Sequence, residues 1–302
     1  MNKIQNHKEI TFAMQDRASS LMSIFKYIPK IKAKEDRPKY SVKSEFNNRK
    51  IEITCFDMLD TTDQAVLLAI IALAPIKDED NRRPIIDIMT PEDERSELAS
   101  ILINGFNSSF NPFGELIKEY SKCAVINCSI NRIVNILGMS EGIKSREIIA
   151  NSIKRLALTS YTITANCNDG VDLSDEFTQP FIFYHKVGKQ YTISLNGIFT
   201  SAFNKQYSRI QLDERREIGS KNSLAQLIHS HFCATVPNGE KGHKFFCTTL
   251  IERFMHKDYL AKDEKRVRRT VKEAIEKIDK LDGWKVVTKG EGKNLIFHVT
   301  RT

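Results

Sequence analysis

Residues 263–284, DEKRVRRTVKEAIEKIDKLDGW, read as one amphipathic helix. Val267, Val271, Ala274, Ile275, Ile278 and Leu281 recur at spacings of three and four and so share one face. Lys265, Arg266, Arg268, Arg269 and Lys272 crowd the N-terminal half and mostly point elsewhere. Asp263 and Glu264 fall in the first turn and Lys277 and Lys280 in the last, signs that suit the helix dipole. Gly283 ends the helix and Trp284 opens a strand.

What flanks this helix decides how to read it. Lys285 to Thr288 and Leu295 to Thr300 are β-prone runs, and the intervening KGEGKN (289–294) has the glycines for a tight reversal. Phe246 to Met255 supplies a shorter helix in front. Short helix, basic helix and hairpin predict a winged helix-turn-helix whose recognition helix starts at about Lys262. The plain alternative is a solvated charged face on a core helix.

The chain of 302 residues allows two ordinary domains. A 41% hydrophobic and 28% charged content describes a globular chain rather than a disordered one. A net charge of +8 favours a polyanionic partner, most simply nucleic acid. The apolar run AVLLAIIALA (65–74) is too short to span a bilayer, and MNKIQNHKEITF at the start lacks the apolar core of a signal. The expectation is a cytoplasmic protein with no membrane partner. Cys55, Cys123, Cys128, Cys167, Cys233 and Cys247 are scattered and read as free, buried thiols.

From the start, residues 1–45 are basic around Pro29 and Pro38, either a flexible arm or a loosely docked extension. Arg49 to Phe56 alternates as a strand, and Asp60-Thr-Thr-Asp63 offers N-cap chemistry to a helix over 64–74. Residues 77–111 are irregular, with one short helix expected near Glu92 to Ile101. Residues 123–160 then repeat the theme of the C-terminal end. Ser129 opens a short helix, Ile130 to Leu137; Gly138 to Gly142 forms a turn; and Ser145 caps a second helix, Arg146 to Leu158, with Ile149, Ile153 and Leu156 inward. Runs at 161–165, 181–185 and 191–195 supply strands for a sheet and wing with a basic tip at Lys186 to Lys189, and the acidic insert Asp169 to Glu176 should face away from DNA. Ile198 to Phe203 reads as a helix or turn, Tyr207 to Ser220 as a polar join, Asn222 to Ala234 as a helix and Pro237 to Gly242 as a loop. The fold class expected is α+β, mainly helical, with two tandem winged helix-turn-helix domains at 46–206 and 207–302 behind the arm.

Catalytic patterns are missing. No G-x-x-x-x-G-K-[ST] cradles a nucleotide triphosphate. His229-Ser-His231 fails the pattern of a metal-dependent nickase, which flanks one hydrophobic residue with its histidines. His229 and Cys233 lie one helical turn apart and could share a metal, yet His229, His231, Cys233, His243 and Cys247 match no familiar zinc spacing. Asp57 with Asp60, and Asp172 with Asp175, lack a partner histidine. Neither an enzyme, a cofactor nor a metal is expected.

At Tyr191 to Trp284 the chain resembles the RepC replication initiators of IncQ-type plasmids. The likeness lies in YTISLNGIFTSAF (191–203), YSRIQLDERREI (207–218), LAQLIHSHFC (224–233) and RRTVKEAIEKIDKLDGWKVV (268–287), with Asp57 to Ala74 and KRLALTSYTIT (154–164) similar in placement. The resemblance implies a tandem winged-helix protein that binds direct iteron repeats in double-stranded origin DNA. It implies opening of an AT-rich region and recruitment of a plasmid-encoded helicase and primase, with further copies of the chain assembling on DNA. Carried over, the recognition helices are Ser145 to Leu158 and Lys262 to Leu281. Arg146, Asn151 and Arg155 in the first, and Arg268, Arg269 and Lys272 in the second, are candidates for base edges and for phosphate. Lys186, Lys189, Lys289 and Lys293 on the wings should touch phosphate, with Lys144, Ser145, Lys154, Lys262, Lys265 and Arg266 completing the surface. A transcriptional repressor would share all these features. A metal-dependent nicking initiator is the remaining rival.

Overall fold

The computed structural model describes residues 10–16, 22–29, 37–46, 49–74, 85–87, 122–165, 176–201, 207–256 and 263–302. In chain order the first elements are β1 (Phe12–Asp16), β2 (Phe25–Lys26), β3 (Tyr40–Phe46), β4 (Arg49–Cys55), β5 (Leu59–Asp60), α1 (Thr61–Leu73) and β6 (Ile85–Asp87). Then come β7 (Lys122–Ser129), α2 (Ile130–Ile136), α3 (Ile143–Ala157), β8 (Thr159–Ala165), β9 (Glu176–Pro180), β10 (Ile182–Val187), β11 (Gln190–Leu195) and α4 (Gly197–Ser201). The chain closes with β12 (Tyr207–Gln211), α5 (Leu212–Ile218), α6 (Ser223–Thr235), β13 (Gly239–Phe246), α7 (Cys247–Phe254), α8 (Glu264–Ile278), β14 (Trp284–Lys289) and β15 (Ile296–Arg301).

Two stretches share one topology. In β7–α2–α3–β10–β11 and in β13–α7–α8–β14–β15, a strand leads into two helices and a hairpin, and the last strand of each hairpin lies between the other two. Antiparallel register runs from Tyr191 opposite Cys128 in the first sheet and from Phe297 opposite Phe245 in the second. The expectation of a mainly helical fold is corrected: among the described residues about as many lie in strands as in helices. Much of the excess is a separate antiparallel sheet, ordered β3-β4-β8-β9. It takes Tyr161 to Ala165 away from the wing and into register with β4, where Ile53 faces Tyr161. β3 comes from the basic N-terminal stretch, and as a solvated edge strand it carries little apolar signal.

Local chemistry explains most boundaries. Asp60 accepts from the Thr62 and Asp63 amides (2.7 and 3.1 Å), and the Asp63 carboxylate accepts from the Asp60 amide (2.9 Å), a complete capping box for α1. Ser129 caps α2 as the sequence suggests. Ser145 does not cap α3: that helix starts two residues earlier, with Gly142 as N-cap and Ser145 buried in the first turn. The join at 207–220 is also corrected, into strand β12 and helix α5. Ser208 and Ile210 are buried while Tyr207 and Arg209 are exposed, a period of two that the charged residues conceal.

The described parts of the N-terminal stretch are docked. β1 pairs antiparallel with β12, burying Ala13, and Leu212 donates its amide to the Thr11 carbonyl (2.7 Å). Lys26 in β2 donates to the Arg253 carbonyl (2.5 Å), in the last turn of α7. Burial, then the Arg253 charge, pushes the Lys26 pKa down to about 8.

At the centre lies α1, buried on almost every side and in contact with β1, α2, α3 and α6. Its cap residue Asp63 is fully buried and holds two guanidiniums, Arg37 at 2.9 Å and Arg155 at 2.7 Å. Arg215 of α5, also buried, donates through Nη1 to Gln64 Oε1 (2.9 Å), the Gln226 carbonyl (2.6 Å) and Ser230 Oγ. Its pKa is pushed down to about 10 by burial, so it stays charged and ties α1 to α5 and α6. Cys55, Cys123, Cys128 and Cys247 are buried thiols outside any disulfide, Cys233 is a half-buried one, and Cys167 lies outside the described residues. Among the described residues no helix is long and apolar enough to cross a membrane.

Candidate nucleic-acid interface

Helix α8 buries Val267, Val271, Ala274, Ile275 and Ile278 against α6 and α7. The remaining face presents Lys265, Arg266, Arg269 and Lys272 to solvent. Arg268 is half-buried and donates to Glu264 one turn earlier (2.9 Å), so it is less free than its neighbours. Arg269 lies 3.6 Å from Glu273 with both side chains well exposed, an ion pair weak enough to exchange for a phosphate or base. The Arg268 hydrogen bond, then the nearby charges of Lys293 and Arg268, hold the Glu264 carboxyl below the usual carboxylate range. That sensitivity puts the hairpin tip close to the N-terminus of α8. Lys285, Lys289 and Lys293 are exposed on the hairpin, and Val287 is exposed between them. Lys262 lies outside the described residues.

Helix α3 is the counterpart. Ile149, Ile153 and Leu156 are buried, and Lys144, Arg146, Asn151 and Lys154 are exposed. Arg146 Nε donates to Asn131 on α2 (3.0 Å), which orients its guanidinium along the turn. Lys186 and Lys189 are exposed at the β10–β11 tip, with Lys186 over the Tyr191 ring at 5.6 Å. The acidic insert lies outside the described residues except for Glu176, in β9.

Two sequence candidates face elsewhere. Ser145 is buried. Arg155 turns to the interior, where Nε and Nη2 both reach Asp63 Oδ1 (3.0 and 2.7 Å) and Nη2 also donates to Ser152 (3.1 Å). Its partner carboxylate in α1 is remote in sequence, so the adjacent basic residues Lys154 and Arg155 looked alike.

Two residues of this face were missed. Ile143 and Ile148 are exposed on α3, at 73% and 42%. They sit off the apolar stripe of Ile149 and Ile153, which is the signal that marks them as outward. An exposed aliphatic side chain on such a helix can contact a thymine methyl group.

No protein-family profile and no curated protein matches the chain. Among solved structures, the chain is similar to a crystal structure of domains 2 and 3 of RctB, at 10% identity over 95% of this chain and 98% of that one, with a TM-score of 0.54. A second structure of RctB domains 2 and 3 aligns over 89% of this chain and 94% of that one, at 10% identity and a TM-score of 0.46. The first of these likenesses shows a shared fold.

Proposed function

We propose that the chain is a replication initiator that binds double-stranded DNA through two winged helix-turn-helix modules, with α3 and α8 as recognition helices. One observation carries this reading. The strand–helix–helix–hairpin arrangement occurs twice with the same strand order, and each copy exposes a basic helix face beside a lysine-tipped hairpin. The fold shared with domains of the initiator RctB supports the same class. The RepC-like patterns narrow it to a plasmid initiator acting in the cytoplasm on iteron repeats. Several copies would open an AT-rich tract by bending or untwisting it and would recruit helicase and primase, with no chemistry by this chain. The module division near residue 206 belongs to the same reading.

Within the interface, Lys144, Arg146, Ile148, Asn151 and Lys154 line the α3 surface, and Lys265, Arg266, Arg269 and Lys272 the α8 surface. Arg155 is assigned to the interior and Arg268 to a supporting role. A footprint on the origin of the parent replicon tests the reading. Protection of evenly spaced direct repeats, with hypersensitivity in a neighbouring AT-rich tract, is the expected result. Protection of one palindrome over a promoter would make the protein a repressor instead. Arg269→Ala should weaken iteron binding by a factor matching roughly 1–3 kcal/mol while changing random-duplex binding far less; equal loss on both would make it a phosphate contact.

A further inference from the structure

Away from the basic faces of α3 and α8, three metal-ligating side chains converge. Glu214 of α5 and His229 and Cys233 of α6 bring one ligand atom each within 4.8 Å of one another. His229 and Cys233, one turn apart, share a helix face. Glu214 Oε2 lies 2.6 Å from His229 Nε2, and Cys233 Sγ lies 3.5 Å from that same nitrogen against 3.9 Å from Nδ1. Glu214 thus holds Nε2, while the Cys233 sulfur flanks both ring nitrogens.

The surroundings fit that centre. Trp284 Nε1 donates to Glu214 Oε2 (2.9 Å), Arg301 Nη2 donates to Oε1 (3.4 Å), and the Trp284 ring packs on His229 with centroids 5.5 Å apart. Such outer contacts fix the orientation of carboxylate and imidazole ligands.

We propose that Glu214, His229 and Cys233 form a site for a thiophilic divalent cation, Zn2+ by its thiolate–imidazole–carboxylate set. On entry the cation displaces the Nε2 proton of the His229 imidazolium, which keeps its Nδ1 proton, and the Cys233 thiol proton, both passing to solvent. Thiolate and carboxylate together neutralise the dication, so the buried site carries no net charge of its own. Trp284 begins β14 and Arg301 ends β15, so the ion would lock the terminal hairpin to α5 and α6.

The test uses the full chain, freed of metal by chelation and titrated with Co2+. A thiolate-to-cobalt charge-transfer band that saturates at one ion per chain and is bleached by Zn2+ is expected. Cys233→Ser should remove the band. Cys128→Ala, outside the cluster, should keep it. Trp284→Phe, which removes the donor to Glu214 and keeps an aromatic ring beside His229, should keep the band but weaken Co2+ binding by about tenfold or more. Circular dichroism establishes that each variant is folded, and Zn2+ should raise the melting temperature of the wild type but not of Cys233→Ser. A folded wild-type chain with no band would reduce the cluster to hydrogen-bonded packing. A band that survives in Cys233→Ser would place the metal elsewhere; either result overturns the proposal. DNA binding is not a readout, so the initiator reading stands or falls separately.

Discussion

His231 lies among Phe232, Phe245 and Phe254, with ring centroids 5.7 to 6.5 Å away, and accepts from Arg253 Nη1 at 3.2 Å through Nδ1. Burial, then the charges of Arg253 and His243, push its pKa down to about 3. The unfolded chain takes up this proton near pH 6.5 and the folded chain does not. Stability present above about pH 6.5 is therefore lost as the pH falls toward 3, by up to about 1.4 kcal/mol per pH unit. Urea unfolding between about pH 7 and about pH 4 should show this slope in the wild type and a flatter one in His231→Asn. Neighbouring residues in α3 offer a second contrast. Arg155→Ala leaves the buried Asp63 with one guanidinium fewer and should cost about 3–5 kcal/mol of stability. Lys154→Ala should leave the melt unchanged and weaken DNA binding at low salt. In the sequence these two residues differ only by one step of helix rotation. That step places Arg155 beside Ser152 and Leu156, and no periodicity argument sees the carboxylate that awaits it on α1.

Elements were legible where apolar spacing was regular. The patterns for α1, α2, α6, α7 and α8 and for the terminal hairpin all surfaced in the sequence, to within a few residues at their ends. β12 and α5 did not, because YSRIQ and LDERREI bury Ile210, Leu212, Arg215 and Ile218 between charged residues. The buried arginine looked like surface. Nor did β3, an edge strand that pairs with β4. The hairpin tips rest on glycine for different reasons. Gly290 has φ +76°, and an added Cβ would run into the Asn294 carbonyl, whereas Gly188, at φ +59°, has open space around it. Gly290→Ala should therefore lower the melting temperature by more than the roughly 1–2 kcal/mol conformational penalty alone would, and Gly188→Ala by no more than that penalty. Thermal melts of the two variants side by side decide it.

At the scale of the whole molecule, the duplicated order of elements showed in the sequence but the means of joining the copies did not. That joint is α1, a helix of 13 residues. Asp63 grips α3 through Arg155, Gln64 meets Arg215 of α5, and Thr61 donates to the Ser223 carbonyl at the head of α6 (3.3 Å). α6 in turn packs on α8. Helix α3 is thus gripped by the rod through an ion pair, and α8 is joined to it through its packing on α6. On the proposed function, such a body would work as a calliper with a set jaw gap. Inserting about half a turn of DNA, roughly five base pairs, between the two halves of a repeat should abolish tight binding in a mobility-shift assay, because the second helix would meet the wrong side of the duplex. Under the proposed function, a sequence change in the repeat would be met by changing one side chain on α3 or α8, whereas a change in its length would require the rod itself to be rebuilt.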